Sequence, residues 1–398
     1  MSRRPIALSP DLLRLQNEGY DLDIQGGFLL VRGIPYVTAQ RVVRLGILIS
    51  KINLSGDVAQ KPDNHVCYWI GEHPCHAGGV KITSIENGSA PPALAPGVSA
   101  NFTFSAKADY RDYHHKMTTY IGRITGEAVL IDPNATARTF PPIPAEEEGS
   151  VFTYVDTATS RAGIGSVTEK LANLRIGVVG LGGTGSYVLD FLAKTSVAEI
   201  HLFDGDVFSQ HNAFRSPGAP SVEELREKPK KVTRFRNLYS AMHRKIVAHD
   251  TFLDSTNVAL LDDINFDFVF ICMDAGTAKR AVVTQLSARG IPFVDVGMGI
   301  LLDDGRLSGL VRTTLSTSDT RDAAAAHISF DDSNGEQNEY ASNIQIAELN
   351  ALNAALAIIR FKKFFDVYRD ARKDVYAGYS IAGGEIVVEA PSEPNLMA

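Results

Sequence analysis

The chain has 398 residues, of which 44% are hydrophobic and 21% charged, and its formal net charge at pH 7 is −7. Single hydrophobic cores seldom grow past about 250 to 300 residues, so two domains are expected. The acidic balance gives no basic footprint for nucleic acid, and no segment has the ~18 uninterrupted apolar residues of a membrane span or the pattern of a signal peptide. We therefore expect a cytoplasmic protein with no nucleic-acid or membrane partner, whose three cysteines are reduced thiols.

Residues 1–140 are predicted to form a small accessory α+β domain. Four short segments have the composition of strands, and two have helical spacing. The predicted strands are residues 27–33, 66–71, 80–85 and 102–106, and the predicted helices are residues 39–52 and 110–121. A stretch at 132–150, rich in proline and glutamate, then breaks any regular period and indicates a linker.

Several histidines and cysteines in this first domain suggest a metal site or a reactive thiol. They are His65, Cys67, His73, Cys75, His76, His114 and His115. Their spacing does not reproduce a common zinc knuckle, and nothing near the two cysteines marks a site that stabilises a thiolate. We interpret both cysteines as small buried residues and the domain as a recognition module.

Residues 150–398 are predicted to form an α/β domain, because strands and helices alternate along the chain. The predicted strands are residues 175–179, 199–203, 268–273 and 292–296, and the predicted helices are residues 186–194, 229–242 and 276–289. That order favours a doubly wound, Rossmann-like parallel sheet. A last helix is predicted over 343–365, with its core face formed by Ile346, Leu349, Leu352, Leu356 and Ile359.

A glycine-rich turn follows the first strand of this second domain and opens a helix. Gly180, Gly182, Gly183 and Gly185 allow the backbone to turn sharply and to approach a phosphate. The free N–H groups at the start of the helix, which contains Ser186, point toward negative charge. This turn predicts a nucleotide site, although a glycine fingerprint alone fits many cofactors.

Polar residues after the second strand of the domain narrow the choice of nucleotide. Asp204 and Asp206 lie at the tip of the strand, where a carboxylate can bind a ribose. The next donors along the chain are Asn212, Arg215, Lys228, Lys230 and Lys231. Such donors suit a triphosphate better than a buried dinucleotide. The competing interpretations are that Asp204 is a turn cap and that Asn212 and Arg215 only hold a loop together.

Taken together, these elements resemble the ThiF/MoeB-type adenylyltransferases, the superfamily that includes the ubiquitin-activating enzymes. The family pattern is Gly-x-Gly-Gly-x-Gly-Ser, Asp-x-Asp, Asn-x-x-Arg, a lysine after a short loop, and a strand that ends in aspartate. Its counterparts in this sequence are residues 180–186, Asp204 and Asp206, Asn212 and Arg215, Lys230 or Lys231, and Asp274. The resemblance covers residues 160 to 365, and the order of its five elements makes it specific.

The resemblance implies an enzyme that uses ATP and Mg²⁺ to adenylate the C-terminal glycine carboxylate of a ubiquitin-like protein, for transfer to a conjugating enzyme. It implies that Asp274 holds the Mg²⁺, and that Arg215 and a lysine contact phosphate, with Lys230 the better match and Lys231 the alternative. It also implies a homodimer in which Arg161 reaches the ATP site of the neighbouring subunit. The likeness extends to the activating enzyme of bacterial ubiquitination-like operons, where the first domain would recognise the carrier or the conjugating enzyme.

The sequence departs from the family pattern in the segment that crosses over the active site. Many relatives have a reactive cysteine there, whereas residues 308–342 contain none, so no thioester is expected from that position. A hydroxyl is the alternative acceptor, and Ser342, just before the last helix, is the first candidate. Cys272 is predicted to be a buried residue inside the strand 268–273, and Ala275 stands where relatives often have asparagine.

Two other functions compete with adenylation. A nicotinamide-dependent oxidoreductase would use the same glycine turn and Asp204, but it would leave Arg215, Lys230 and Asp274 without a role. An inactive nucleotide-binding scaffold for a conjugation complex is favoured by the missing cysteine and by Ala275. We take the chain to be an activating enzyme.

Overall fold

The computed structural model describes residues 4–91, 93–94, 96, 98–146, 149–330 and 344–389. Contacts divide these residues into two compact units. The first unit contains the described residues up to 146 together with Tyr154–Ala162, and the second contains Gly149–Thr153 and the described residues from Gly163 onward. The segment Tyr154–Ala162, which follows the predicted linker, thus packs with the first unit.

The first unit is an α+β fold built on an antiparallel sheet. Its helices are α1 (Arg4–Leu8), α2 (Pro10–Asn17), α3 (Tyr113–Val129) and α4 (Thr157–Ala162). Its strands are β1 (Asp21–Gln25), β2 (Phe28–Val37), β3 (Val43–Lys51), β4 (Leu54–Ser55), β5 (Val58–Ala59), β6 (Val66–Ile70), β7 (Glu86–Asn87) and β8 (Phe102–Ser105). The main sheet has the order β1-β2-β3-β6-β8-β7, while β4 and β5 pair with each other.

Two of the elements predicted for the first unit are wrong. Residues 39–52, predicted as a helix, contain strand β3, because its apolar residues pair with β2 on one side and β6 on the other. Gly46 allows this packing, since a Cβ there would lie 2.3 Å from Cζ2 of Trp69. Residues 80–85, predicted as a strand, contain the 3₁₀ turn Thr83–Ile85. The strands at 27–33, 66–71 and 102–106 and the helix over 110–121 are confirmed within a few residues, although α3 continues to Val129.

The two cysteines of the first unit are buried, as predicted. Cys67 is fully buried, and burial raises the pKa of its thiol to about 11. Cys75 is also buried, and burial raises its pKa as well. Neither thiol is therefore readily ionised at neutral pH.

The second unit contains a mixed eight-stranded sheet with helices between its strands. Its helices are α5 (Gly165–Thr168), α6 (Gly183–Leu192), α7 (Gln210–Ala213), α8 (Val222–Glu227), α9 (Lys231–Tyr239), α10 (Thr277–Ala288), α11 (Arg321–Ala325) and α12 (Ala347–Phe364). Its strands are β9 (Arg175–Val179), β10 (Glu199–Phe203), β11 (Ile246–His249), β12 (Phe268–Ile271), β13 (Phe293–Asp303), β14 (Arg306–Ser316), β15 (Tyr376–Ser380) and β16 (Glu385–Glu389).

The strand order of the second unit is β11-β10-β9-β12-β13-β14-β15-β16. The strands from β11 to β13 pair in parallel, and those from β13 to β16 pair antiparallel. The chain runs outward from β9 through β10 to β11 and then returns to the other side of β9 as β12. The Rossmann-like α/β fold is therefore confirmed, and the reversal beside β9 is where ligands bind in open α/β sheets.

The predicted last helix is present, but its predicted core face is wrong. Ile359 is exposed, and Leu349, Leu352 and Leu356 are only half-buried. The side of α12 that faces the interior instead carries Asn350, Asn353, Ala354, Ala357, Ile358, Arg360 and Phe361. Two buried asparagines on a core helix require polar partners: Asn350 contacts the glycine turn described below, and Asn353 contacts Gly297 of β13. In the part of the chain that the structure describes, no helix is long and apolar enough to cross a membrane.

Candidate active site

A cavity of about 760 Å³ lies at the carboxyl ends of β9, β10 and β12. The described residues that line it belong to the second unit. The predicted site residues that line it are Gly180, Gly182, Gly183, Asp204, Asp206, Arg215, Lys231 and Asp274. The structure thus brings together in one cavity residues that lie up to 94 positions apart in the chain.

The glycine turn forms one wall of the cavity, and three of its four glycines have no room for a side chain. Gly180 has a φ of +90°, and a Cβ there would lie 2.5 Å from the carbonyl oxygen of Cys272. A Cβ at Gly185 would lie 1.9 Å from the carbonyl oxygen of Gly180, and one at Gly183 would lie 2.2 Å from Nδ2 of Asn350. Because α6 begins at Gly183, the free N–H groups of its first turn are available to an anion.

Gly185 and Ser186 support this turn and do not line the cavity. Ser186 is fully buried, and its hydroxyl donates a hydrogen bond of 2.7 Å to the carbonyl oxygen of Gly183. Thr184 donates to Oδ1 of Asn350 at 2.8 Å, which attaches α12 to the turn. These contacts hold the backbone in place before any ligand arrives.

Asp204 connects the glycine turn to the end of β10. Its Oδ2 accepts a hydrogen bond of 2.7 Å from the N–H of Leu181, and its Oδ1 accepts one of 2.8 Å from the N–H of Asp206. The carboxylate is buried but lines the cavity. It therefore caps the turn, as the competing interpretation held, and its contact with a ribose stays a prediction.

The two candidate lysines have different surroundings, and only Lys231 lines the cavity. Its buried ammonium lies 2.6 Å from Oδ2 of Asp206 and 3.6 Å from Oδ2 of Asp204. The ammonium of Lys230 donates to the carbonyl oxygen of Gly205 at 2.7 Å and pairs with Asp250 at 3.0 Å. Of the two lysines that the sequence leaves open, Lys231 is thus the one at the cavity, where α9 begins, and the contact of either lysine with phosphate stays a prediction.

Arg215 and Asn212 also differ in their position: Arg215 lines the cavity, and Asn212 supports the loop behind it. Arg215 lines the cavity, and its buried Nε has no hydrogen-bond partner among the residues that the structure describes. The Oδ1 of Asn212 accepts a hydrogen bond of 2.8 Å from the N–H of Ser209 and closes helix α7. Asn212 therefore holds the loop that carries Arg215, and it does not line the cavity.

Charges of both signs lie near Arg215 at this end of the cavity. His211, on the same short helix, has its pKa lowered by desolvation and by the neighbouring charges of Arg215 and Lys231. Asp274 lies three residues after the end of β12, and its exposed side chain lines the cavity. An arginine and a carboxylate in one cavity suit a phosphate ligand that carries its own metal ion.

A second group of charged residues lines the cavity and is absent from the sequence-based prediction. Lys279 of α10 places its Nζ 2.6 Å from Oδ1 of Asp295, and Nη1 of Arg312 lies 3.4 Å from Oδ2 of the same aspartate. Asp295 is fully buried, and burial raises its pKa while both cations oppose that rise. The signal was present in the sequence, since a lone aspartate interrupts the apolar run of the predicted strand 292–296.

Comparisons with known proteins agree with this geometry. A profile of the ThiF family matches residues 157–367, more than half of the chain. The chain belongs to the ThiF family. Residues 10–157 match a second profile, which is described only as a domain of unknown function, DUF6791.

Two curated relatives are similar to parts of this ThiF-family chain. The tRNA threonylcarbamoyladenosine dehydratase of Escherichia coli K12 is 26% identical over 136 residues, which are 32% of this chain and 48% of that protein. The ubiquitin-like modifier-activating enzyme 5 of Caenorhabditis elegans is 28% identical over 135 residues, which are 31% of this chain and 32% of that protein. The chain thus spans about half and about a third of the length of these relatives.

Solved structures show more distant likeness. E. coli MccB with succinimide has a TM-score of 0.46 at 17% identity, covering 60% of this chain and 71% of that one. The E. coli tRNA N6-threonylcarbamoyladenosine dehydratase in complex with AMP has a TM-score of 0.38 at 19% identity, covering 52% of this chain and 93% of that one.

The remaining residues singled out in the sequence analysis are Arg161, Ser342 and Cys272. Arg161 is in α4 of the first unit, with its guanidinium 4.8 Å from the centre of the Phe140 ring, and its role in a neighbouring subunit stays a prediction. Ser342 lies outside the described residues. Cys272 follows the end of β12 and does not lie inside the strand as predicted; it is half-buried at the cavity, and desolvation raises the pKa of its thiol.

Proposed function

We propose that this ThiF-family chain uses ATP to adenylate the C-terminal glycine carboxylate of a ubiquitin-like protein. The proposal is carried by the buried Nε of Arg215, which has no partner among the described residues and lies at the cavity that also holds the glycine turn and Asp274. A buried N–H without a partner costs about 1 to 3 kcal/mol, which a phosphate oxygen would recover. The glycine turn offers further N–H donors to the same ligand.

The reaction needs positioning and charge stabilisation more than proton transfer. The carboxylate of the carrier attacks the α-phosphorus of ATP and forms an acyl–phosphate bond. The bond from that phosphorus to the β-phosphate oxygen breaks, and pyrophosphate leaves. A carboxylate is already ionised at neutral pH, so no general base is required. Arg215 and Lys231 offset the charge that develops on the phosphates.

Asp274 is the residue that we assign to Mg²⁺. Magnesium is commonly bound by one or two carboxylates together with substrate phosphates, which fits a carboxylate in a phosphate cavity. In the ranges that the structure covers, no three His, Cys, Asp or Glu side chains form a ready metal site, so the phosphates would complete the coordination. The bound ion would supply charge neutralisation on the departing pyrophosphate.

A protein carrier is favoured over RNA by the charge of the chain. One relative is by name an activating enzyme for a ubiquitin-like modifier, and another is by name a dehydratase of a tRNA nucleoside. The net charge of −7 supports the first kind of partner, because RNA binding relies on basic surfaces. The first unit would then serve to recognise the carrier or a conjugating enzyme.

The activated carrier would pass to the conjugating enzyme directly or through a hydroxyl such as Ser342. Residues 308–342 contain no cysteine, and desolvation disfavours the thiolate of Cys272. Any covalent enzyme–carrier species should therefore survive reducing agent and yield to hydroxylamine.

The proposed homodimer, with Arg161 acting on the neighbouring ATP site, predicts that a mixture of Arg161→Ala and Arg215→Ala subunits regains part of the activity.

Nucleotide titration tests the choice of ligand. We expect saturable binding of a non-hydrolysable ATP analogue with Mg²⁺, and no binding of NAD at the same concentrations. Arg215→Met should weaken binding of the ATP analogue, whereas Arg226→Met, at an exposed position on α8, should leave it unchanged. Binding of NAD without binding of the ATP analogue would contradict the proposal and favour an oxidoreductase. An unchanged affinity for the ATP analogue in Arg215→Met would show that Arg215 does not contact the nucleotide.

A further inference from the structure

The cations that line the cavity form two sets, and only one of them serves the proposed triphosphate. Arg215 and Lys231 follow β10 and belong with the glycine turn. Lys279 and Arg312 are held by the buried Asp295 on β13. Two cations and one carboxylate leave this second set with a positive charge. Adenylation requires two anionic substrates, a triphosphate and a carboxylate, so a second set of cations has a function.

The buried charges of this set are weak evidence for stability. Asp295 is 0% exposed and Lys279 is 1% exposed, so both lose their hydration when the chain folds. Apolar replacements of such clusters are often neutral or stabilising. A cluster of this kind on a cavity wall is therefore more readily explained by what it holds in place.

Arg312 is the member of the set that can contact a ligand. Its Nη1 donates to the carbonyl oxygen of His327 at 2.8 Å and faces Asp295, which fixes the guanidinium. Its Nε and Nη2 make no hydrogen bond to any residue that the structure describes, and the side chain lines the cavity. Gly297 leaves room for the guanidinium of Arg312, because a Cβ at residue 297 would lie 2.5 Å from Cζ of Arg312.

A buried hydrogen-bond acceptor without a partner among the described residues lies beside Gly297 of β13. Asn353 of α12 is 0% exposed, and its Nδ2 donates to the carbonyl oxygen of Gly297 at 3.0 Å. Its Oδ1 is buried and has no partner among the described residues, although the residue lines the cavity. An open cation and an open acceptor around one glycine match a ligand with a carboxylate and a nearby N–H group, which describes a terminal acyl-glycine.

We propose that Arg312 and Asn353, around Gly297, form a second anion subsite that binds the terminal acyl-glycine of the carrier, with Asp295 and Lys279 as positioning residues. This inference rests on the proposed adenylation and adds the subsite for the second substrate. Arg312 binds the carboxylate, and Oδ1 of Asn353 accepts from the N–H of the terminal residue. The triphosphate remains with Arg215, Lys231 and the glycine turn.

Peptide binding tests the subsite without requiring turnover. The probes are N-acetyl-glycyl-glycine and its C-terminal amide, each titrated into the full chain saturated with a non-hydrolysable ATP analogue and Mg²⁺. We expect the free carboxylate to bind about tenfold or more tightly than the amide, as expected for one charge-assisted contact. Arg312→Met should abolish that preference and leave the affinity for the ATP analogue within about twofold. Arg306→Met, at an exposed position on the same hairpin, is the matched control.

Asp295→Asn separates positioning from folding. The change should reduce the carboxylate preference while the affinity for the ATP analogue persists, and a melting curve reports its fold. If Asp295→Asn unfolds, the test rests on Arg312→Met alone. That variant is expected to fold, because the side chain of Arg312 is 20% exposed and Asp295 keeps Lys279 as a partner. Equal or undetectable binding of both peptides to the wild type would overturn the subsite, as would an ATP affinity that falls in Arg312→Met as far as in Arg215→Met. Failure of the wild type to bind the ATP analogue would instead overturn the proposed function.

Discussion

Lys116 of the first unit and Arg215 of the second hold their buried N–H donors in opposite ways. In the first unit, Lys116 is 1% exposed and its ammonium donates to Ser50 Oγ at 2.9 Å and to the carbonyl oxygens of Asn64 and Val66 at 2.9 and 2.8 Å. In the second unit, the buried Nε of Arg215 has no partner in the described part of the chain. A cation whose donors are all used by the protein supports the fold, while one with an open donor in a cavity awaits a ligand.

The largest expected effect is on activity, from Arg215→Met. Removing a charged contact to the transition state costs on the order of 2 to 4 kcal/mol, so adenylate formation should fall about 30-fold to 1,000-fold. The melting temperature should hardly change, because Arg215 lies on a loop at the cavity. ATP-dependent pyrophosphate exchange and a thermal melt measure both. A large loss of melting temperature with unchanged exchange would make Arg215 a structural residue and erase the contrast with Lys116.

Lys116→Met should show the reverse pattern. The substitution leaves Ser50 and two carbonyl oxygens without their donor, and we expect a loss on the order of 3 kcal/mol in the free energy of unfolding. Burial already lowers the pKa of Lys116, so the folded state gains little from its charge. Denaturant unfolding gives the stability, and exchange per folded molecule should be unchanged. A selective loss of exchange would assign Lys116 a part in the reaction.

The pair Lys231→Met and Lys230→Met sharpens the comparison within the cavity itself. Loss of a charge-assisted phosphate contact at Lys231 should slow exchange about tenfold or more. Lys230→Met loses contacts with Gly205 and Asp250 outside the cavity and should have a smaller effect. Exchange kinetics of the two folded variants decide between them. A greater loss in Lys230→Met would restore the assignment made from the sequence.

The smallest effect is expected from Asn212→Ala. Its side chain closes α7, and loss of such a capping contact costs about 1 kcal/mol. Exchange should decline only as far as Arg215 becomes less well placed. The unfolding free energy and the KM for ATP are the measurements. A loss of exchange equal to that of Arg215→Met, at unchanged stability, would mean that Asn212 contacts phosphate directly.

Much of the second unit could be predicted because its local signals agree with its fold. The strands β9 and β10 each begin with a charged residue that is followed by four buried residues, and they begin and end where the sequence indicated. The glycine turn was predictable because backbone crowding at Gly180 and Gly185 leaves no alternative residue. Local chemistry and tertiary packing favour the same structure at these positions.

Other elements depended on contacts that no short pattern contains. Strand β3 has helix-like spacing in part, and its pairing between β2 and β6 decides its conformation. The apolar spacing of α12 favoured the wrong face, because Asn350 and Asn353 have their partners in the glycine turn and β13. Lys279, Asp295 and Arg312 belong to three different elements and meet only in the folded sheet.

The most direct test of the account is ATP–pyrophosphate exchange by the full chain, supplied with Mg²⁺ and a carrier protein that ends in glycine. The account predicts exchange that depends on the carrier, disappears when the terminal carboxylate is removed, and is lost in Asp274→Ala while that variant melts like the wild type. Carrier-dependent exchange that continues at the wild-type rate in Asp274→Ala would contradict the assignment of the cavity. A wild-type chain that binds ATP but exchanges no pyrophosphate with any glycine-ended carrier would be a nucleotide-binding scaffold and not an activating enzyme.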